Sequence, residues 1–272
     1  MLSSKLVANL AEKLTNYLPF FQKGEPALVL LFYFCSMKLN IDPTDKELRK
    51  RLIDYLSQFI YDRRYQLFRS IISNRTRYIT VVLEDIYQAQ NASATLRTCD
   101  CLGVQDIHII ENSNKFSVDS EVDMGASKWL TLHRYNKLEN NTLEAINALR
   151  EKGYRIVATT PHDNDCTISE LDLSKGKVAL LFGTELTGLS DLALKNADEY
   201  VRIPMFGFTE SYNISVSVAL TLYELTNRIR SSKIDYRLSS DEQDELMLQW
   251  LRASIRSSSL IEKRFLNELK MH

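Results

Sequence analysis

Between Val178 and Phe182 the chain runs through five apolar residues, Val178-Ala179-Leu180-Leu181-Phe182, and then enters Gly183-Thr184-Glu185-Leu186-Thr187-Gly188-Leu189-Ser190. A strand with no polar alternation has both faces covered, which is the condition of a strand inside a parallel α/β sheet. Ligands of such sheets bind beyond the carboxyl ends of the strands. A second stretch of this kind, Ile203-Pro204-Met205-Phe206-Gly207, leads into Ser211-Tyr212-Asn213-Ile214-Ser215. Two glycine-bearing loops at strand ends, one with the carboxylate of Glu185 and the other with Ser211 and Asn213, make a candidate site.

The loop Gly183 to Ser190 comes within one residue of a phosphate-binding loop, but Leu189 stands where that motif needs the lysine that reaches the terminal phosphates. Glu185 would also set a negative charge against a triphosphate, which argues against nucleotide hydrolysis. The G-x-G-x-x-G fingerprint of dinucleotide sites occurs nowhere in the chain. An adenosine-containing cofactor without a polyphosphate remains open.

Strands are expected near Tyr78, Ile107, Leu130, Ile156, Ala179 and Val201. They alternate with helices over Ala92 to Leu102, Thr142 to Lys152, Asp191 to Asn196 and Ser211 to Arg230. That alternation predicts a mainly parallel sheet with helices on both faces. Residues 1–76 read as a helical extension, with apolar spacing at Leu6, Leu10, Leu14 and Leu18 ended by Pro19, and a further helix opened by Asp42-Pro43 through Leu48, Leu52, Tyr55, Leu56 and Phe59. The segment 231–272 reads as carboxyl-terminal helices, opened by Ser240-Asp241-Glu242-Gln243 as a capping box. The body between them is 77–230.

A third loop carries the most specific pattern. After the strand Tyr78-Ile79-Thr80-Val81-Val82-Leu83 comes Asn91-Ala92-Ser93-Ala94-Thr95-Leu96-Arg97-Thr98-Cys99-Asp100-Cys101-Leu102-Gly103-Val104. With the other two loops, in this order, the chain resembles the SpoU (TrmH-type) ribose 2'-O-methyltransferases of RNA, members of the knotted SPOUT superfamily. The resemblance covers roughly Arg63 to Ile229. Gly125-Ala126-Ser127-Lys128-Trp129 and the stretch Arg155 to Thr160 are most similar to the tRNA (guanosine(18)-2'-O)-methyltransferase branch.

The resemblance implies a carboxyl-terminal trefoil knot between Phe182 and Tyr223, S-adenosylmethionine as cofactor, an RNA substrate and a homodimer whose sites draw on both chains. It implies a catalytic set of Asn91, Arg97, Glu185, Ser211 and Asn213. Cofactor contacts fall to Thr159, Gly183, Ile203, Met205 and Tyr212. The matching arginine of the family is held to help deprotonate the ribose 2'-hydroxyl; holding a phosphate and orienting the hydroxyl is the milder role, since arginine is a poor base. Asn91, Ser211 and Asn213 could each also cap the helix they precede, and Glu185 is expected to orient Arg97 or the loop around Ser211. Tyr212 departs from the leucine usual in the family. The leading target is the D-loop guanosine of tRNA. Ribosomal RNA or another tRNA position is the alternative, and a non-catalytic RNA-binding module comes third.

A net charge of −1 hides an uneven distribution. Residues 1–76 hold 12 Lys/Arg against 7 Asp/Glu, residues 77–227 hold 13 against 21, and residues 228–272 hold 9 against 7. Lys and Arg contacts to phosphate supply most sequence-independent affinity for nucleic acid, so the flanks are the expected RNA grips. Arg49, Lys50, Arg51, Arg63, Arg64, Arg69, Arg75 and Arg77 form the densest basic run. The four cysteines (Cys35, Cys99, Cys101, Cys166) and four histidines form neither a disulfide framework nor a metal-ligand pattern, as expected of a cytoplasmic, metal-free enzyme. The apolar run Ala27 to Met37 is too short for a membrane span and reads as a buried helix.

Overall fold

The computed structural model describes residues 46–161 and 166–270. The expected helix through Leu6 to Leu18, the Asp42-Pro43 helix start and the apolar run Ala27 to Met37 lie outside these residues. Strands β1 (Ile79–Glu84), β2 (Asp106–Ile110), β3 (Thr131–Tyr135), β4 (Arg155–Thr159), β5 (Cys166–Thr167), β6 (Val178–Phe182) and β7 (Glu199–Arg202) form one sheet in the order β3-β2-β1-β6-β4-β7-β5. Every pairing is parallel. The six expected strands are all present. The two-residue β5 was not anticipated, because a pair of residues at a sheet edge leaves no periodic signal.

Burial explains the reading of β6. All residues of β1, β2 and β6 are buried, whereas β3 at the edge is only partly covered. The helices that cover them are α3 (Ala89–Leu102), α5 (Thr142–Glu151), α6 (Asp191–Lys195) and α7 (Ile214–Arg230); a short α4 (Ser120–Asp123) follows β2. On one face α3 and α7 lie against each other and bury Leu96, Cys99, Val218, Leu222, Leu225 and Ile229 with Val81, Leu180 and Val201 of the sheet. On the other, α5 and α6 cover Val82, Ile156, Ala179 and Leu181. Each such aliphatic side chain contributes about 1.5–3 kcal/mol relative to exposure, so the sheet is fixed from both sides and its carboxyl edge is a rigid platform.

Helices α1 (Lys46–Ser57) and α2 (Asp62–Ile72), before the sheet, pack against α8 (Ser240–Ser254), and α1 also packs on α9 (Ser258–Lys270). The joint is aromatic: Phe68, Trp129 and Trp250 meet with ring centroids 5.4–5.5 Å apart. The capping box of α8 sits one residue earlier than expected, with Ser239 as N-cap and Glu242 returning the bond. Ser239 and Ser240 are chemically equivalent caps. The spacing of three to the glutamate, which can hold a charge-assisted bond, selects Ser239.

Part of the basic run turns inward. Arg75 is 2% exposed, paired with Asp100 and lying over Trp250. Arg49 is buried against Glu245, and Arg77 bridges Asp106 and Glu242. Arg75 and Arg77 tie the helical layer to the sheet domain, Arg49 ties α1 to α8, and none of the three is free to grip phosphate. The exposed remainder is Lys50, Arg51, Arg63, Arg64 and Arg69.

Candidate active site

The sheet reverses its winding around β1 and β6. From β1 the chain moves outward through β2 to β3, and then returns to build β4, β6 and β7 on the other side. Such a switch point leaves a crevice at the strand carboxyl ends. Here a cleft of about 490 Å³ opens beyond β4, β6 and β7. Its lining includes Thr159 and Thr160 after β4, the loop 183–189 after β6, Ile203 and Met205 after β7, and Glu210, Ser211 and Tyr212 before α7. The five expected cofactor residues, Thr159, Gly183, Ile203, Met205 and Tyr212, therefore share one wall system, joined by Glu185 and Ser211.

The loop after β6 is a closed knuckle. Thr184 and Gly188 exchange both backbone hydrogen bonds at 3.0 Å, and the Thr184 and Thr187 hydroxyls lie 2.7 Å apart. A Cβ on Gly183 would stand 2.1 Å from the Gly188 carbonyl carbon and oxygen, so only glycine fits beneath the knuckle. Its far end is anchored by Glu84, 3% exposed at the end of β1. This carboxylate accepts from the Ser190 backbone N–H and hydroxyl at 2.8 Å and from the Thr142 hydroxyl at 2.7 Å. Charge-assisted bonds of this kind compensate for burying a carboxylate.

The knuckle presents Glu185 to two asparagines. Glu185 Oε1 accepts from Asn91 Nδ2 at 2.9 Å and from Asn213 Nδ2 at 2.5 Å, and Asn213 Nδ2 also donates to Asn91 Oδ1 at 3.1 Å. Each motif loop thus supplies one member of a closed ring. Asn213 performs a second task, because its Oδ1 accepts from the Ser215 backbone N–H at 2.9 Å and caps α7. Its amide nitrogen is thereby aimed at Glu185.

Asn91 and Ser211 do not cap. Helix α3 begins two residues before Asn91, with Gln88 at the N-cap, and the Asn91 amide is taken by Gln88 and Glu185. Ser211 precedes Asn213, where α7 is already capped, so it stays outside the helix and lines the cleft. Of the two expected partners of Glu185, the structure brings it to the loop around Ser211, through Asn213, and not to Arg97, which makes no hydrogen bond or ion pair among the described residues. Arg97 is exposed on α3 two turns beyond Asn91. Arg97 faces outward because Ala92, Leu96 and Cys99 take the core face of α3.

Sequence reasoning missed the contribution of α7 to the cleft floor. Ile214, Ser217 and Thr221, spaced at one helical face, line it. The signal was present as two hydroxyls one turn apart, set among Val216, Val218, Ala219, Leu220 and Leu222. Among the lining residues the ionisable side chains are Glu185, Glu210 and Tyr212, with no Lys, Arg or His. A cleft of that charge is unsuited to a polyphosphate and suited to a cationic ligand. Among the described residues no cluster of His, Cys, Asp or Glu could hold a metal, and no helix is long and apolar enough to cross a membrane.

Comparison with known proteins agrees with this geometry. Residues 78–223 match the SpoU rRNA Methylase family. The chain is 44% identical over 218 residues to the tRNA (guanosine(18)-2'-O)-methyltransferase of Borreliella burgdorferi, spanning 80% of this chain and 97% of that relative. It is 32% identical over 193 residues to the enzyme of the same name from Thermus thermophilus, covering 70% of this chain and 97% of the relative. Among solved structures, the A. aeolicus TrmH/SpoU tRNA modifying enzyme superposes with a TM-score of 0.63 at 25% identity, over 72% of this chain and 98% of that one. A matched stretch that starts at β1, ends within α7 and takes in all three motif loops makes this chain a member of the SpoU methylase family.

Proposed function

We propose that the protein transfers a methyl group from S-adenosylmethionine to a ribose 2'-hydroxyl of RNA, with the D-loop guanosine of tRNA as its target. The observation that carries this reading is the ring Asn91–Glu185–Asn213 at the rim of the cleft, with Arg97 exposed beyond it. The relatives named for that reaction support the choice of target.

The cleft fits the cofactor. It has the volume of a nucleoside-sized ligand, and among the described residues it has no cation on its walls and a buried hydroxyl without a partner, Thr221 Oγ1. When bound, the cofactor supplies an electrophilic methyl carbon on a positively charged sulfur. Gly183 and the backbone around Ile203, Met205 and Tyr212 would hold it, with Thr159 at the end of β4. Thr159 gives its own hydroxyl to Leu181 O at 2.7 Å, so its contribution there is shape and backbone.

The remaining work is alignment, which supplies much of the rate in such a transfer. The asparagine–glutamate ring fixes the rim against which the ribose is placed, and Ser211 offers a free hydroxyl beside it. Arg97, without a carboxylate partner among the described residues, is placed to meet an RNA phosphate. A cation beside the 2'-hydroxyl also favours its ionised form, and the proton leaves to the water that the exposed rim admits.

RNA capture falls to the helical layer in this reading, and the division into 1–76, 77–230 and 231–272 is a division of labour. Exposed Arg63, Arg64 and Arg69 line α2, and Arg64 meets Lys128 at one indole: their charged groups lie 5.9 and 5.0 Å from the Trp129 ring centroid. Among the described residues neither cation has a salt bridge, so the pair is available to phosphates. A homodimer is supported by Val216, Leu220 and Tyr223, 43%, 40% and 63% exposed along one side of α7. The all-parallel order around β6 and the family membership support the trefoil knot. Incubating the protein with labelled S-adenosylmethionine and either a tRNA transcript or ribosomal RNA, then mapping ribose methylation, should place the label on the D-loop guanosine of the tRNA. Label only in ribosomal RNA, or in none, overturns the reading.

A further inference from the structure

Helix α7 forms the floor of the cleft, and a helix offers a ligand very little beyond its side chains. Its interior N–H and C=O groups are spent on each other. Beyond the N–H groups of its first turn, the polar atoms it can present to the cleft are therefore the hydroxyls of Ser217 and Thr221, one turn apart on the lining face. The wall facing them is apolar where Ile168, Phe182, Val201 and Ile203 contribute.

Thr221 is the unusual member. It is 0% exposed, and among the described residues its Oγ1 has no hydrogen-bond partner. Thr226, on the same helix and equally buried, donates to Leu222 O at 2.6 Å, the ordinary solution for a helical threonine. A buried hydroxyl without a partner costs about 1–3 kcal/mol, and such groups are rare enough that each needs an account. Position 221 lies where the neighbouring lining is apolar, so valine would fill the same space without that cost.

We propose that the Thr221 hydroxyl is a ligand-binding group, kept unpaired in the free protein to hydrogen-bond the nucleoside portion of the bound cofactor, with Ser217 beside it. This rests on the methyltransferase reading above and deepens it. The nucleoside is common to the methyl donor and to its demethylated product, so both should feel the interaction equally.

The test is calorimetric titration of the full chain with S-adenosylmethionine and with S-adenosylhomocysteine, alongside thermal melts of the free protein. Thr221→Val should weaken both ligands about three- to tenfold, the range of one neutral hydrogen bond. The ligand-free melting temperature should hold or rise, because an unsatisfied polar group has been removed. Thr221→Ser, which keeps the hydroxyl, should restore affinity to within about twofold of wild type. If Thr221→Val binds both ligands as wild type does, the hydroxyl is no ligand. If Val and Ser variants weaken binding equally, shape alone matters, and the proposal again falls. No heat from either ligand on folded wild-type protein overturns the methyltransferase reading itself, an outcome distinct from the other two.

Discussion

At the scale of single residues, Gly183 is the most constrained position in the site. The alanine methyl group would have to occupy a point 2.1 Å from the backbone of Gly188, and backbone cannot yield as a flexible side chain can. The knuckle would open, and Glu185 would leave its two asparagines. Gly183→Ala should therefore abolish detectable cofactor binding by calorimetry, while the thermal melt remains cooperative because the loop is anchored independently at Glu84 and Ser190. Retained affinity would mean that the knuckle is not the cofactor wall. Tyr212 is the milder case. It is 40% exposed on the cleft wall, so replacing it with the family's leucine changes surface lining and leaves the core untouched. The set Asn91, Glu185 and Asn213 was legible because three loops each carried a motif. The bonds among them were not, because the choice between capping a helix and reaching across a cleft depends on where α3 and α7 begin, a matter of one to three residues.

Among the secondary-structure elements, the body was readable because its central strands β1, β2 and β6 are fully buried and its helices amphipathic. The helical layer was readable only in part. Charge counts alone could not say which arginines face water: Arg75 and Arg64 belong to the same basic run, yet one is sealed beneath Trp250 and the other lies over Trp129 at the surface. Tertiary pairing with Asp100, Glu242 and Glu245 decides it, and those partners lie far along the chain. This sorting gives a sharper experiment than deleting the extension, which would strip α8 of its packing partners. Arg63→Gln, Arg64→Gln and Lys128→Gln combined should weaken tRNA binding and flatten its salt dependence. The log–log slope should fall by about 0.7–0.9 for each RNA phosphate that is no longer neutralised. Cofactor affinity should not change, because none of the three lines the cleft. Filter binding at several salt concentrations reads the RNA affinity and its slope together. An unchanged slope would remove RNA capture from this surface.

For the whole molecule, stability should depend on pH through a cluster far from the chemistry. His108 on β2 is fully buried, stacked on His133 of β3 with centroids 4.5 Å apart, and its Nδ1 lies 2.9 Å from the Tyr135 hydroxyl. Burial, with His133 and Lys152 nearby, pushes the His108 pKa down to about 3. An unfolded histidine titrates near 6.5, so between about pH 6.5 and 3 the unfolded chain binds the extra proton. Stability must then fall as pH falls, by at most about 1.4 kcal/mol per pH unit for this one group. Asp106 adds to the same limb at lower pH: burial works against its ionisation, but His133, 3.6 Å away, and the charge of Arg77 hold its pKa below the ordinary carboxylate value. The alkaline side has the opposite cause. Burial, reinforced by Glu144 and Asp106, raises Tyr135 to about 12, so above pH 10 the unfolded chain sheds a proton that the folded one keeps, and stability declines as pH rises. Burial also pushes the Cys99 thiol up, and an unfolded thiol titrates near 8.5, so melting temperatures should form a plateau between about pH 6.5 and 8.5. His108→Phe keeps a stacking ring but removes the titration, and it should shorten the acid limb without changing cofactor affinity at pH 7, since β1 and β6 stand between this cluster and β4 at the cleft. An acid limb as steep in the variant as in wild type would assign the loss of stability to other groups.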